Sequence, residues 1–480
     1  MKPTAFISTA IPYVNARPHI GHAFEFVQTD AMARYLRLAG RDVFFLTGSD
    51  ENSLKNVRAA LDEGISTQAL CDRNTAYFEE LLPLLEVSND AFIRTSGELH
   101  KRGAQELWRR TDPQDIYKKH YTGLYCVGCE DFYTDKDAPD GICPDHLTPL
   151  ERIEEENYFF RLSRYQDQLL KLIESNRVRI VPATKRNEIL AFIRGGLMDF
   201  SISRSRRRAG GWGIEVPGDP DQVMYVWYDA LANYITSLDL RDGSPMLEKF
   251  WLRGDEQIHC IGKGINRFHS VYWPAMLLSA KLSPPTTVFV HGYLTINGQK
   301  ISKSLGNVID PRSQVEKYGA EAVRYFLLRG ISATEDGDYG EARFRELYNA
   351  DLANNLGNLA RRVETIGAKA EHVPQPEMAV DAPAGYHEAM ADFRFQDAAA
   401  TLWSLATDLN QRIETVKPWE LQKQNKAAEL ATFLDEMIAA LRVIGHWVEP
   451  FLPTTSARLK AMFRSGAPIQ RGEPLFPRME

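Results

Sequence analysis

The sequence predicts an α/β protein with a doubly wound parallel sheet, and three observations in its first fifty or so residues carry that prediction. Residues 4 to 9, "TAFIST", read as a short buried strand. Phe24, Val27, Ala31, Tyr35 and Leu38 then recur at helical spacing until Gly40, and "DVFFLTG" from Asp42 reads as a second strand. Strand, helix and strand in such close succession is the pattern of parallel pairing.

The later elements follow in order. From about residue 115 to 150 the regular pattern breaks into turn formers around a cysteine cluster, which reads as a small inserted module. The segments "VMYVWYDA", "QIHCIGKG" and "TTVFVHGYLTING" are short and apolar, and are expected to supply the second half of the sheet. Beyond about residue 338 the reading is almost wholly helical, with "EHVPQPEMAVDAPAGY" as a loop within it. Four parts are therefore expected: 1–114 and 201–337 as two halves of one α/β domain, 115–200 as an insertion with its cysteine-bearing part at about 122–150, and 338–480 as an α-helical domain.

A chain of 480 residues, 44% hydrophobic and 25% charged, is a globular protein too long for one core. The net charge of −7 argues against nonspecific polyanion binding as the main activity, yet permits a local basic groove. No run of about 18 apolar residues occurs, and the N-terminus lacks the core and cleavage site of a signal peptide. A cytoplasmic protein without a membrane partner is expected. The five cysteines, Cys71, Cys126, Cys129, Cys143 and Cys260, are odd in number and three are crowded together, which suits a metal site in a reducing compartment.

In "RPHIGHAF", His19 and His22 stand where a strand gives way to a helix N-terminus. Orphan N–H groups and the helix dipole favour an anion there, the imidazoles add directed donors, and Gly21 lets backbone approach the guest. Alone, the pair suits surface capping equally well. The loop "NGQKISKSLGN" adds Lys300, Ser302 and Lys303 after a predicted strand. Such a loop is usually solvated surface, but together with the histidines in a parallel α/β setting it fits charge that develops on a departing phosphate. Cys126-x2-Cys129 and Cys143-x2-His146, separated by residues 130–142, form two short turns able to close a tetrahedron round Zn²⁺ in a structural site.

"HIGH" at 19–22 and "KISKS" at 300–304 resemble the two signatures of class I aminoacyl-tRNA synthetases. "AIPYVNARPHIGH", "GRDVFFLTGSDE", "VMYVWYDALANYI", "FHSVYWPAML" and "FVHGYLTINGQKISKSLGNVIDP" resemble the methionyl branch, from about residue 5 to 450. The resemblance implies a Rossmann-type catalytic domain, an inserted zinc-bearing connective module and a C-terminal anticodon-binding domain. It implies that methionine is activated by ATP with Mg²⁺ and transferred to a methionine tRNA carrying a CAU anticodon.

His19, Gly21, His22, Lys300, Ser302 and Lys303 would then serve ATP, the histidines and lysines being catalytic. Asp50 would take the substrate ammonium, and Ile11, Tyr13, Trp227, Tyr234 and His269 the side chain, although each aromatic alone would pass for core. Cys126, Cys129, Cys143 and His146 would hold the structural zinc. "NNLGNLARR" and "VKPWEL" resemble anticodon-reading helices, pointing to Asn358, Arg362 and Trp419; Arg204 in "SRSRRRAGG" matches a family arginine.

Three segments depart from the family pattern. "DENS" stands for "DEHG", placing Asn52 and Ser53 where a histidine and a glycine are usual; "GKG" stands for "GKD", placing Gly264 at an acidic position; and Ile301 replaces a methionine. These leave open a paralogue that activates a different, methionine-like amino acid or passes the aminoacyl group to an acceptor other than tRNA. An inactive tRNA-binding regulator is a further alternative, disfavoured by the intact His19, His22, Lys300 and Lys303. With no appended dimerising module after the helical part, a monomer is expected.

Overall fold

The computed structural model describes residues 2–126, 128, 131–133, 138–144, 147–301, 306–376 and 380–479; the side chains of 131, 132 and 300 lie outside the description. The chain divides into two compact units. One comprises Met1–Pro18, Gly40–Leu82 and Asn89–His291; the other comprises His19–Ala39, Pro83–Ser88 and Gly292–Glu480.

The first unit holds a six-stranded parallel sheet. Its strands are β1 (Thr4–Thr9), β2 (Asp42–Ser49), β3 (Ala91–Arg94), β4 (Arg179–Val181), β5 (Glu256–Gly262) and β6 (Thr287–His291). β1 lies at the centre between β2 and β5; β3 continues the sheet beyond β2, and β6 and then β4 continue it beyond β5. β1 is buried from Ala5 to Thr9, as both faces of a parallel sheet require, with apolar Ala5, Phe6 and Ile7 followed by Ser8 and Thr9, whose buried hydroxyls are hydrogen-bonded. The chain runs from β1 outward through β2 in one direction and from β5 outward through β6 in the other. The carboxyl ends of β1 and β5 therefore flank a topological switch point, the place where α/β sheets hold ligands.

Helix α1 (Ile20–Leu38) begins four residues before the apolar periodicity does, because its cap is His19 and not one of the usual hydroxyl or carboxamide residues. Gly40, at φ +82°, ends it as expected.

Two local expectations need correction. The turn-rich reading of 115–150 misses a long antiparallel ribbon in which Ile116–Cys126 pairs with Glu151–Phe160. Most of the first strand is exposed or half-buried, so no apolar run marks it. "VMYVWYDA" does not join the parallel sheet. Its strand, Asp219–Met224, pairs with Ser203–Ser205 and Glu215–Val216 in a separate sheet, and Val226–Leu231 is helical. A short buried run has no periodicity to separate the two states.

The second unit is largely helical after Gly337–Asp338, with Phe395–Val416 and Ala427–Trp447 as its longest helices. The stretch 371–385 carries neither helix nor strand among its described residues. Asp30 of α1 and Arg324 meet at 2.7 Å with both side chains fully buried. Arg324 also donates to the carbonyls of Leu85 and Pro450 at 2.9 and 2.8 Å, so the guanidinium is well satisfied. Burial pushes the Asp30 carboxyl up, but Arg324, Arg34 and the hydrogen bonds from Ser88 together hold it below its usual range. Among the described residues no helix is long and apolar enough to cross a membrane.

Candidate active site

The second unit presents the two histidines as a reciprocal cap. His19 Nδ1 accepts the Gly21 N–H at 3.1 Å, and His22 Nδ1 accepts the His19 N–H at 3.0 Å. A backbone N–H can only donate, so neither Nδ1 carries a proton and each neutral ring keeps its hydrogen on Nε2. The rings stack with centroids 3.9 Å apart. Burial lowers His22 well below the ordinary histidine value, and neighbouring His19 lowers it further. The pair is thus two neutral Nε2–H donors at the N-terminus of α1, which suits an anionic guest.

A Cβ on Gly21 would lie 2.9 Å from Cε1 of His19 and 4.0 Å from Cδ1 of Ile301. The first contact explains the glycine. The second places Ile301 near the histidine signature, and Ile20 N–H donates to the Ile309 carbonyl at 3.0 Å. Lys300 is at the end of a two-residue strand, Gln299–Lys300, with its side chain outside the described residues; Ser302 and Lys303 lie outside them altogether.

In the first unit, Tyr13 and Asp50 face one another in a parallel bridge beyond β1 and β2, and Asp50 N–H donates to the Pro12 carbonyl at 2.9 Å. Asp50 is 2% exposed, so its side chain is buried. Lys55 Nζ sits 4.3 Å from the Tyr13 ring centre. Beyond β5, His269 Nδ1 lies 3.0 Å from the Ile265 carbonyl and therefore donates to it, leaving Nε2 to accept from the Tyr234 hydroxyl at 2.7 Å. Burial pushes His269 down to about 4, against the pull of that carbonyl, so the ring is neutral at pH 7. Trp227 stacks flat on Phe268 at 3.8 Å, and Ile11 and Trp227 pack against the same core as Tyr234. The structure thus pairs Tyr13 with Asp50 and Tyr234 with His269.

The family model for class I tRNA synthetases (M) matches residues 5–149 and 147–364. The methionine–tRNA ligase of Brucella suis biovar 1 is 42% identical over 508 aligned positions, covering 98% of this chain and 97% of that protein. That of Thermotoga maritima is 39% identical and covers 99% of this chain and 80% of its own length. The Mycobacterium tuberculosis methionyl-tRNA synthetase solved with methionyl-adenylate superposes with a TM-score of 0.91 at 38% identity, each chain fully covered. This chain belongs to the methionyl-tRNA synthetases of class I.

Other expected residues of this synthetase sit as follows. Asn358 is exposed and Arg362 half-buried on the helix Asn358–Lys369, one turn apart. Arg362 pairs with Glu414 at 2.6 Å, and its Cζ is 6.0 Å from the ring of Trp419, which is 36% exposed. The structure therefore brings Arg362 and Trp419 together. Arg204 is buried, with Nη1 donating to the Tyr125 hydroxyl at 2.9 Å. Of the four expected zinc ligands, Cys126 and Cys143 are buried, while Cys129 and His146 lie outside the described residues. Leu147 N–H donates to the Cys143 carbonyl at 2.8 Å, and Cys143 N–H donates to the Thr148 carbonyl at 2.9 Å. Cys126 ends a strand that pairs with Asp131–Tyr133, and among the described residues no three potential ligands come together.

Sequence reasoning missed the residues behind the pocket. Glu51 is fully buried and accepts from Ser49 at 2.9 Å, Thr75 at 2.7 Å and Arg94 at 2.7 Å, and Ser96 also donates to it. His259, fully buried, accepts from Trp273 Nε1 at 3.2 Å, leaving its Nδ1–H for Ser8 Oγ at 2.8 Å, and its ring lies 3.9 Å from that of Tyr234. Glu51 and His259 stand inside the quoted segments "DENS" and "QIHCIGKG", but their partners come from distant elements, so no local signal marks them.

Proposed function

We propose that the chain activates methionine with ATP and ligates it to methionine tRNA. The observation that carries the reading is the pair of neutral Nε2–H donors of His19 and His22, with Ile301 Cδ1 4.0 Å from where a Gly21 Cβ would stand. In the first step a carboxylate oxygen of methionine attacks the α-phosphorus of ATP and the bond to pyrophosphate breaks. His19 and His22 hold phosphate oxygens, Gly21 allows the close approach, and Lys300, Ser302 and Lys303 take the charge that builds on departing pyrophosphate. Mg²⁺ bound with ATP supplies further charge neutralisation. Asp50 binds the ammonium, and Ile11, Tyr13, Trp227, Tyr234 and His269 enclose the side chain. In the second step a hydroxyl at the tRNA 3′ end attacks the acyl carbon and AMP leaves.

Residues 1–114 and 201–337 make up the catalytic halves in this reading, 115–200 the connective module, and 338–480 the anticodon-binding domain. There Asn358, Arg362 and Trp419 contact the CAU anticodon. Cys126, Cys129, Cys143 and His146 hold one Zn²⁺ that ties the module's two turns together. The enzyme works as a cytoplasmic monomer, which sedimentation would check.

Methionine-dependent ATP–pyrophosphate exchange and charging of methionine tRNA are the expected results. Exchange driven by another amino acid in a panel would move the reading to a paralogue, and no exchange with any of them would sink it.

A further inference from the structure

Asn52 replaces a usual histidine, and its surroundings are unusually well defined. Nδ2 lies 2.8 Å from Asp229 Oδ2 and 3.1 Å from the carbonyl of Thr95. Both neighbours can only accept, so the amide has one allowed orientation, with nitrogen inward and Oδ1 as the remaining polar atom. Oδ1 has no hydrogen-bond partner among the described residues, and Asn52 lines a cavity together with Arg204, Trp212 and Met224.

Behind the amide stands a fully buried chain. The other oxygen of Asp229 lies 2.7 Å from His100 Nε2, and His100 Nδ1 lies 2.8 Å from Thr236 Oγ1. Asp229, His100 and Thr236 are all completely enclosed. A buried polar network of this kind is costly unless every member is satisfied, and when satisfied it fixes one arrangement. What it fixes here is the carboxamide two residues beyond Asp50. The backbone reinforces the link, since Asn52 N–H lies 3.3 Å from Asp50 Oδ1.

A primary ammonium has three N–H donors and needs acceptors from more than one direction, more than a single carboxylate supplies. We propose that Asn52 is a further specificity-determining residue, its Oδ1 accepting a hydrogen bond from the α-ammonium of the amino acid beside Asp50. Asp229, His100 and Thr236 are positioning residues that act through it. The inference rests on the reading of Asp50 given above.

Calorimetric binding to the intact chain tests it, with L-methionine, L-methioninol, the desamino analogue 4-(methylsulfanyl)butanoate and ATP as probes. Asn52→Ala is the first variant; Asn52→Ser, whose hydroxyl is too short to reach the same point, serves if the alanine does not fold. Methionine and methioninol, which share the ammonium, are expected to bind about tenfold or more weakly to the variant. The desamino analogue and ATP should bind as before. Equal weakening of methionine and ATP would mean that Asn52 only shapes the fold, and no weakening would mean that Oδ1 is idle; either overturns the proposal. A wild-type chain that binds no methionine defeats the reading of the pocket as well, whereas normal methionine binding with an unaffected variant defeats this proposal alone.

Discussion

His19 and His22 cap each other across one helical turn, each ring nitrogen Nδ1 taking a backbone N–H and the two rings stacking at 3.9 Å. The arrangement makes both rings neutral donors through Nε2 and leaves no room between them and Gly21.

Gly21→Ala should therefore damage the reaction more than the fold. Its Cβ would stand 2.9 Å from the His19 ring and displace it. A shift of about 1 Å in a phosphate-binding donor can lower the rate roughly a hundredfold. Steady-state exchange should show that loss in kcat, with a melting temperature close to the parent's.

Acid should destabilise the first unit before its carboxylates titrate. The folded value of His269 is about 4 against an ordinary 6.5, and burial also holds His259 well below 6.5. The unfolded chain binds these protons first, so the stability is fully present above pH 6.5 and declines as pH falls from there toward 4. Each such histidine contributes a slope of about 1.4 kcal/mol per pH unit across that window. Urea midpoints at pH 7 and pH 5.5 measure it; His269→Gln should flatten the dependence, and an unchanged slope would contradict the assignment.

Arg324→Met should be among the most destabilising single substitutions in the second unit. It leaves the buried Asp30 carboxylate without its closest buried partner and strands the Leu85 and Pro450 carbonyls. Loss of one member of such a pair costs about 3–5 kcal/mol. Denaturant titration would show the loss, and Asp30→Asn placed in the same chain should recover part of it.

Trp419→Ala should separate tRNA use from activation. The ring is 36% exposed and 6.0 Å from the Arg362 guanidinium, so its removal costs little packing. Stacking of one base is worth about 1–3 kcal/mol, or roughly ten- to a hundredfold in the KM for tRNA. Parallel charging and exchange assays should show that rise with exchange unchanged.

One zinc per chain is expected by elemental analysis, and Cys126→Ser or Cys143→Ser should abolish it. Retention of full zinc content in either variant would show that the ion, if bound, uses other donors.

The strand, helix and strand that open the chain were legible because their signals are local: an apolar run, a helical period and a glycine stop. The two signature motifs were legible for the same reason, since each stands within a few consecutive positions. The ribbon at Ile116–Cys126 was not legible, because its strand is mostly exposed and carries no continuous apolar run. The fate of "VMYVWYDA" was hidden by the opposite property, burial on every side.

What the sequence by itself determined is short-range geometry: two imidazoles at a helix start and a carboxylate directly after β2. Tertiary structure alone decided which proton each imidazole carries, that Asn52 Nδ2 is turned to Asp229, and that a buried arginine anchors α1. Those outcomes depend on partners up to 294 residues away, as with Asp30 and Arg324, or 177 away, as with Asn52 and Asp229. A hydrogen bond's partner at such a separation is chosen by the packing of whole elements, which local period and spacing do not encode.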